Sequence, residues 1–194
     1  MISLLVAYTK NKRVIGAQGK IPWKLSSERN RFKKLCTGKY VIMGRKSFDE
    51  IGKPLSYCTL IVVSKTITGP STGSGTTSCS GTTMVVRQES MGAPQNDAGS
   101  LSLSKGVKIC PSLEAAINFC KACGQDEILV AGGESIYRQA LPFATRIYAT
   151  EIEADFDGDR FFPELDDSWL PTIESTHVDC EIKYTYLTFI KKGI

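Results

Sequence analysis

The residue most suggestive of chemistry in this chain is an acid set into an apolar stripe. Residues 25–36 carry helical periodicity, with Leu25, Phe32 and Leu35 on one face and Glu28 among them. Burying an ionised carboxylate costs several kcal/mol unless something answers it. Glu28 is therefore paired internally, serves as a helix-start charge, or is kept for a ligand. The preceding segment, Val14-Ile15-Gly16-Ala17-Gln18-Gly19-Lys20-Ile21-Pro22-Trp23, shifts the balance towards a ligand. Its glycines followed by Ile-Pro-Trp read as a mobile loop closed by an apolar and aromatic rim.

Two further stretches suit an anion. Gly132-Gly133 lets backbone come close to a phosphate, and the helix that follows brings unpaired N–H groups. Gly44-Arg45-Lys46-Ser47 does the same with cationic side chains added. The structural alternatives are a tight strand-to-helix turn for the glycines and a solvated helix start for Arg45 and Lys46. The common dinucleotide fingerprint G-x-G-x-x-G is absent.

Other chemistries find little support. The only histidine, His177, lies in an alternating strand pattern, which argues against a Ser/His/Asp triad or a multi-histidine metal site. Cys120 and Cys123 form a lone Cys-x-x-Cys late in a helical segment, better suited to packing than to zinc or redox work. Seven cysteines without framework spacing point to reduced thiols in a cytoplasmic protein. The apolar opening residues 1–8 lack a basic leader and read as a strand, and no apolar run approaches a membrane span. A net charge of +4 is spread along the chain, which suits a phosphorylated cofactor or anionic substrate and gives no sign of nucleic acid.

The elements that must position these groups alternate. Strands are expected at 1–8, 39–43, 59–64, 107–110, 127–131 and 146–152, with helices at 25–36, 45–51, from Ser112 as N-cap onward, and from the glycine pair to about residue 140. Residues 10–20 read as a loop. Residues 172–178 and 182–190 read as an antiparallel hairpin at the sheet edge. This is an α/β pattern in a chain of 194 residues, most simply one domain over 1–194. Between about 66 and 105 Gly, Ser and Thr dominate, with a strand-like interruption at 84–86, and we expect a surface insertion.

Several blocks in order resemble the dihydrofolate reductase family: Val14-Ile15-Gly16, Ile21-Pro22-Trp23, Glu28, Phe32, Val41-Ile42-Met43-Gly44-Arg45-Lys46-Ser47-Phe48, Ile51-Gly52-Lys53-Pro54-Leu55, Ala131-Gly132-Gly133, Tyr148-Ala149-Thr150 and Gly158-Asp159. The resemblance implies a central, mostly parallel, eight-stranded twisted sheet flanked by helices, with an antiparallel C-terminal strand. It implies NADPH-dependent reduction of 7,8-dihydrofolate to tetrahydrofolate by a cytoplasmic monomer, with no nucleic-acid or membrane partner and no metal. Glu28 would hold the pterin's 2-amino group and N3, with the Thr150 hydroxyl bonding Glu28 and the same amino group. Leu5, Val6, Ala7 and Ala131 would line the pterin slot. Phe32, Ile51 and Leu55 would pack the p-aminobenzoyl ring, although core packing alone explains any one of them. Ile21 and Trp23 would form the inner wall of the closing loop. The cofactor would lie against Ala7, Ile15, Gly16, Lys20 and Ile21. It would further meet Gly44, Arg45, Lys46 and Ser47, then Val63, Ser64 and Lys65 near a 2′-phosphate. The stretch Ala131, Gly132, Gly133, Glu134, Ser135, Ile136 and Tyr137 would complete the site, with a cis peptide at the glycines. Asp159 would brace the loop, or be a simple turn aspartate.

Two departures stand out against the family pattern. Where an arginine usually clamps the substrate's glutamate tail, this chain has Cys58, and a thiol cannot form the bidentate carboxylate pair. Arg29, beside the acid, is a candidate replacement, its alternative being a solvated surface arginine. Glu134 and Ser135 follow the glycines where a third glycine and a basic residue are common, and the acid would oppose a pyrophosphate. A reductase of another pterin or pyrimidine on the same fold, or a nucleotide-binding module with weak turnover, are the remaining alternatives.

Overall fold

The computed structural model describes residues 1–65 and 107–193, so the insertion expected at 66–105 lies outside the described residues. Alternation in burial organises the sheet. In β1 (Ile2–Thr9), Leu4, Val6 and Tyr8 enter one apolar cluster and Leu5 another. In β3 (Tyr40–Gly44), Tyr40 and Ile42 face the first cluster, Val41 and Met43 the second. β4 (Thr59–Val63) and β6 (Ile128–Val130) divide in the same way, Ile61, Ile128 and Val130 against Leu60, Val62 and Leu129. A strand that alternates between two covered faces is apolar throughout, which is why these segments read as unbroken hydrophobic runs.

Helices cover both faces. α1 (Ser26–Cys36) and α2 (Arg45–Ile51) supply Phe32, Leu35, Cys36, Phe48 and Ile51 to the second cluster. α3 (Leu113–Ala122) and α4 (Glu134–Ala140) supply Leu113, Ala116, Ile117, Cys120, Ile136, Tyr137 and Ala140 to the first. Ser112 caps α3 as the sequence suggests, its hydroxyl accepting from the Ala115 N–H at 3.1 Å.

With β5 (Val107–Cys110), β7 (Arg146–Glu153), β9 (Trp169–Asp179) and β10 (Ile182–Lys191), the sheet has eight strands in the order β5-β4-β3-β6-β1-β7-β10-β9. The pairings from β5 through to β7 are parallel, and those of β10 with β7 and β9 antiparallel. Residues 10–20 are not wholly a loop: β2 (Val14–Gly16) pairs with β8 (Arg160–Phe161) in a separate ribbon. Three residues carry too little periodicity to reveal a strand, and β2 exists because a segment far along the chain lies beside it. No helix among the described residues is long and apolar enough to cross a membrane.

Candidate active site

The site grows from the parity of β1 and the phase of α1. Leu5 points to the face that α1 and α2 cover, and Leu25, at the N-cap of α1, is buried and sets the helix start. Between these elements and the segment before α1 lies a cavity of about 630 Å³. That is the size of a pocket for a small organic ligand. Glu28 opens into it beside Arg29, with Phe32, Ile51 and Leu55 as apolar wall.

The Glu28 carboxylate makes no hydrogen bond or ion pair with the described residues. Burial pushes its pKa above the ordinary value, while Arg31 and then Arg29 pull it back. Among the described residues, the hydrogen-bonded partner that a purely structural carboxylate would need is not present. Thr150 does not bond Glu28 directly. Its hydroxyl is buried in β7 and accepts from Arg31 Nη1 at 3.4 Å. Tyr137 closes the other side, donating its hydroxyl proton to the Leu5 carbonyl at 2.7 Å.

The two glycine junctions meet. Gly44 N–H donates to the Gly132 carbonyl at 2.7 Å, the Gly132–Gly133 peptide is cis, and a Cβ at Gly133 would sit 3.0 Å from Ser47 Oγ. The ends of β3 and β6 thus meet beside the cavity, where Ser47 and Gly133 line the wall. Gly132 has φ +105°, and a Cβ there would lie 2.8 Å from the Tyr137 ring, so no other residue fits without rearrangement.

The loop is tethered at several points. Asp159 Oδ1 accepts from Gln18 N–H at 3.2 Å, and Asp159 N–H donates to the Gly16 carbonyl at 3.1 Å. Asp159 thus braces the loop and is more than a turn residue. Ala17 and Lys20 close a tight turn by reciprocal backbone bonds. Trp23 is buried against Leu25, Ile152 and Tyr184, and its indole N–H has no partner among the described residues.

Of the residues singled out in the sequence, the cavity brings together Leu5, Val6, Ala7, Ile15, Ile21, Trp23, Glu28, Arg29, Phe32, Ser47, Ile51, Leu55, Ala131, Gly133 and Tyr137. Ile21 lines it although its side chain is largely exposed. Gly16, Lys20, Gly44, Arg45, Lys46, Val63, Ser64, Lys65, Gly132, Glu134, Ser135, Ile136 and Thr150 do not line it. Arg45 is engaged by Asp49 at 2.8 Å in an exposed i, i+4 pair. Glu134 is held by Arg138 at 3.0 Å and accepts from Phe161 N–H at 3.3 Å, so it ties α4 to β8 instead of presenting a bare charge. Met43, Glu50, Lys53 and Tyr57 line the cavity and were not expected. Met43 and Lys53 lie within stretches that resemble the family, while Glu50 and Tyr57 carry no periodic or motif signal. Cys58 is buried, and that burial pushes its thiol up to about 11, so it is a packing residue. The described residues contain no cluster of metal-ligating side chains.

Comparison with known proteins agrees with this geometry. A family model described as dihydrofolate reductase matches residues 1–91 and 95–191. The chain is 31% identical to a dihydrofolate reductase of Bacillus subtilis (strain 168), an alignment covering 100% of this chain and 96% of that protein. It is 34% identical to a dihydrofolate reductase type 3 of Salmonella typhimurium over 91% of this chain and 88% of that one. To a dihydrofolate reductase of Haemophilus influenzae it is 33% identical, over 92% and 93%. An acid without a hydrogen-bond or ion-pair partner among the described residues, in a mainly apolar cavity walled by β1, α1 and α2 and reached by Gly133, thus coincides with a match along nearly the whole sequence: the chain belongs to the dihydrofolate reductase family of oxidoreductases.

Proposed function

We propose that the protein reduces 7,8-dihydrofolate to 5,6,7,8-tetrahydrofolate with NADPH, as one monomeric cytoplasmic domain. The observation that carries this reading is the Glu28 carboxylate, without a hydrogen-bond or ion-pair partner among the described residues, in a mainly apolar cavity of about 630 Å³. A planar heterocycle that offers two N–H donors side by side satisfies such a carboxylate bidentately.

In this reading Glu28 takes the pterin's 2-amino group and N3, and Thr150 reaches the same amino group. The Leu5 and Ala131 carbonyls line the slot, and Phe32, Ile51 and Leu55 hold the p-aminobenzoyl ring. Raised by burial, Glu28 polarises the ring so that N5 takes its proton from water. Ile21 and Trp23 keep bulk solvent out. The residues fit the cofactor: Ala7, Ile15, Ser47 and the backbone of Gly133 line one side of the cavity, and a Cβ at Gly133 would crowd Ser47 Oγ at 3.0 Å. When bound, NADPH supplies the hydride from nicotinamide C4 to pterin C6. Ala7, Ile15 and Gly133 would hold its nicotinamide end, with Ser64 and Lys65 at the 2′-phosphate. The described cysteines are all free, in keeping with a reducing compartment.

Loss of NADPH absorbance with dihydrofolate tests the reading, run beside a tail-less dihydropterin. Turnover of dihydrofolate that Glu28→Gln abolishes supports it. No turnover of either substrate favours a nucleotide-binding module, and equal turnover of both means that the tail contributes little, as the buried Cys58 would allow.

A further inference from the structure

One turn beyond Glu28 on α1 stands Arg31, whose side chain is only 11% exposed. Its Nη1 donates to the Ala149 carbonyl at 3.1 Å and to Thr150 Oγ1 at 3.4 Å, and its Nη2 to Glu174 Oε2 at 3.0 Å. The guanidinium carbon lies 4.3 Å from the centroid of the Tyr186 ring. A helix charge without a task would be solvated; this one crosses to β7, β9 and β10. The planar fork suits that work, because several fixed donors reach acceptors on different strands at once. Its i−3 neighbour on the helix is the cavity's carboxylate.

The contact with Thr150 has a directional consequence. A hydroxyl oxygen that accepts from a guanidinium keeps one lone pair and its own hydrogen, so Arg31 limits the directions in which Thr150 can accept and donate.

We propose that Arg31 is a positioning residue for the Glu28 site: its guanidinium takes up one acceptor position of the Thr150 hydroxyl, orienting its remaining lone pair and hydrogen, and keeps a permanent positive charge near the Glu28 carboxylate. Its kinetic consequence rests on the function proposed above, while its electrostatic consequence does not. Glu28 is faced on its own helix by Arg29, Arg31 and Cys36, and from α4 by Tyr137. Glu50 of α2, and Lys53 and Tyr57 beyond it, line the same cavity, and β1 presents only the apolar Leu5, Val6 and Ala7. Among the cations Arg31 opposes the effect of burial most, ahead of Arg29. The net effect still raises the carboxyl above its ordinary value.

The test uses Arg31→Gln, which keeps donors but loses the charge, and Arg31→Lys, which keeps the charge but loses the fork. Carbon-13 NMR of glutamate-labelled, ligand-free protein, with Glu28 assigned by Glu28→Gln, reads the Glu28 titration directly. The midpoint moves upward in Arg31→Gln and stays near wild type in Arg31→Lys. With NADPH and dihydrofolate, kcat falls about tenfold in Arg31→Gln and several-fold in Arg31→Lys, with KM changed less. A wild-type Glu28 midpoint in folded Arg31→Gln, or wild-type kcat in Arg31→Lys, overturns the proposal. Should Arg31→Gln not fold, Arg31→Lys decides alone through its kcat. If the wild-type protein does not oxidise NADPH with dihydrofolate, the proposed activity falls and the titration still judges Arg31.

Discussion

Ile21 donates its backbone N–H to the Glu50 carboxylate at 2.8 Å, joining the loop before α1 to the helix α2 across the cavity both of them line. The contact is charge-assisted and sits where the loop must hold against solvent. Burial raises the Glu50 carboxyl and the Ile21 N–H partly offsets this, as expected for a carboxylate drawn out of water to meet one donor.

Removing either tether should loosen the loop without unfolding the protein. Glu50→Ala frees Ile21, and Asp159→Ala frees Gln18. Each loses one hydrogen bond to a charged group at a partly exposed site, about 1 kcal/mol. Faster amide exchange over residues 17–23 and a several-fold higher KM for dihydrofolate are the expected readouts, with Tm nearly unchanged.

Glu28→Gln should separate activity from stability. Turnover falls by about 10² or more, the range for loss of a positioned acid–base group. Stability moves the other way at neutral pH. Because burial raises the Glu28 carboxyl above its ordinary value of 4.5, its contribution to stability is full below that value and is lost as pH rises through the folded value. Above it the wild type carries a disfavoured charge that glutamine lacks. Thermal melts should therefore show Glu28→Gln more stable at neutral pH, with the difference vanishing below about pH 4.

The two glycines of the pair should respond differently to alanine. Gly132→Ala meets both a positive φ and the Tyr137 ring at 2.8 Å, and urea denaturation should show a loss of about 2 kcal/mol or more. At Gly133 the obstacle is Ser47 Oγ at 3.0 Å, a short side chain that can turn away. Stability then changes little, while KM for NADPH rises, because the added methyl crowds the cavity wall at Ser47.

Arg29 lines the cavity beside Glu28 and is exposed, placed to meet an anionic tail. Arg29→Ala should raise KM for dihydrofolate about tenfold with kcat retained, and leave a tail-less dihydropterin unaffected. An unchanged KM would make Arg29 a surface residue only.

How much of the site was legible depended on how local its cause was. Glu28 stood out because helical phase is a property of a few neighbouring residues, and the phase placed an acid among Leu25, Phe32 and Leu35. The two glycine junctions were visible because only glycine serves where backbone must come close, and their meeting through Gly44 and Gly132 is a consequence of β3 and β6 being neighbours in the sheet. Glu50 could not be read in this way: nothing within α2 marks it as a partner for Ile21, 29 residues earlier. Glu134 is the converse case. Its charge was legible, and its neutralisation by Arg138 and by the β8 backbone was not.

The sequence by itself determined the alternation of strands and helices, the Ser112 cap, the acid on its helix face and the family. All of these rest on short-range periodicity or on motifs carried within a few residues. Tertiary structure alone decided the small β2–β8 ribbon and the Arg31 contact with Thr150, which joins residues 119 apart. Such contacts form only once packing has brought distant backbone together and excluded water. Their partners are therefore chosen by the fold and leave no local mark in the chain.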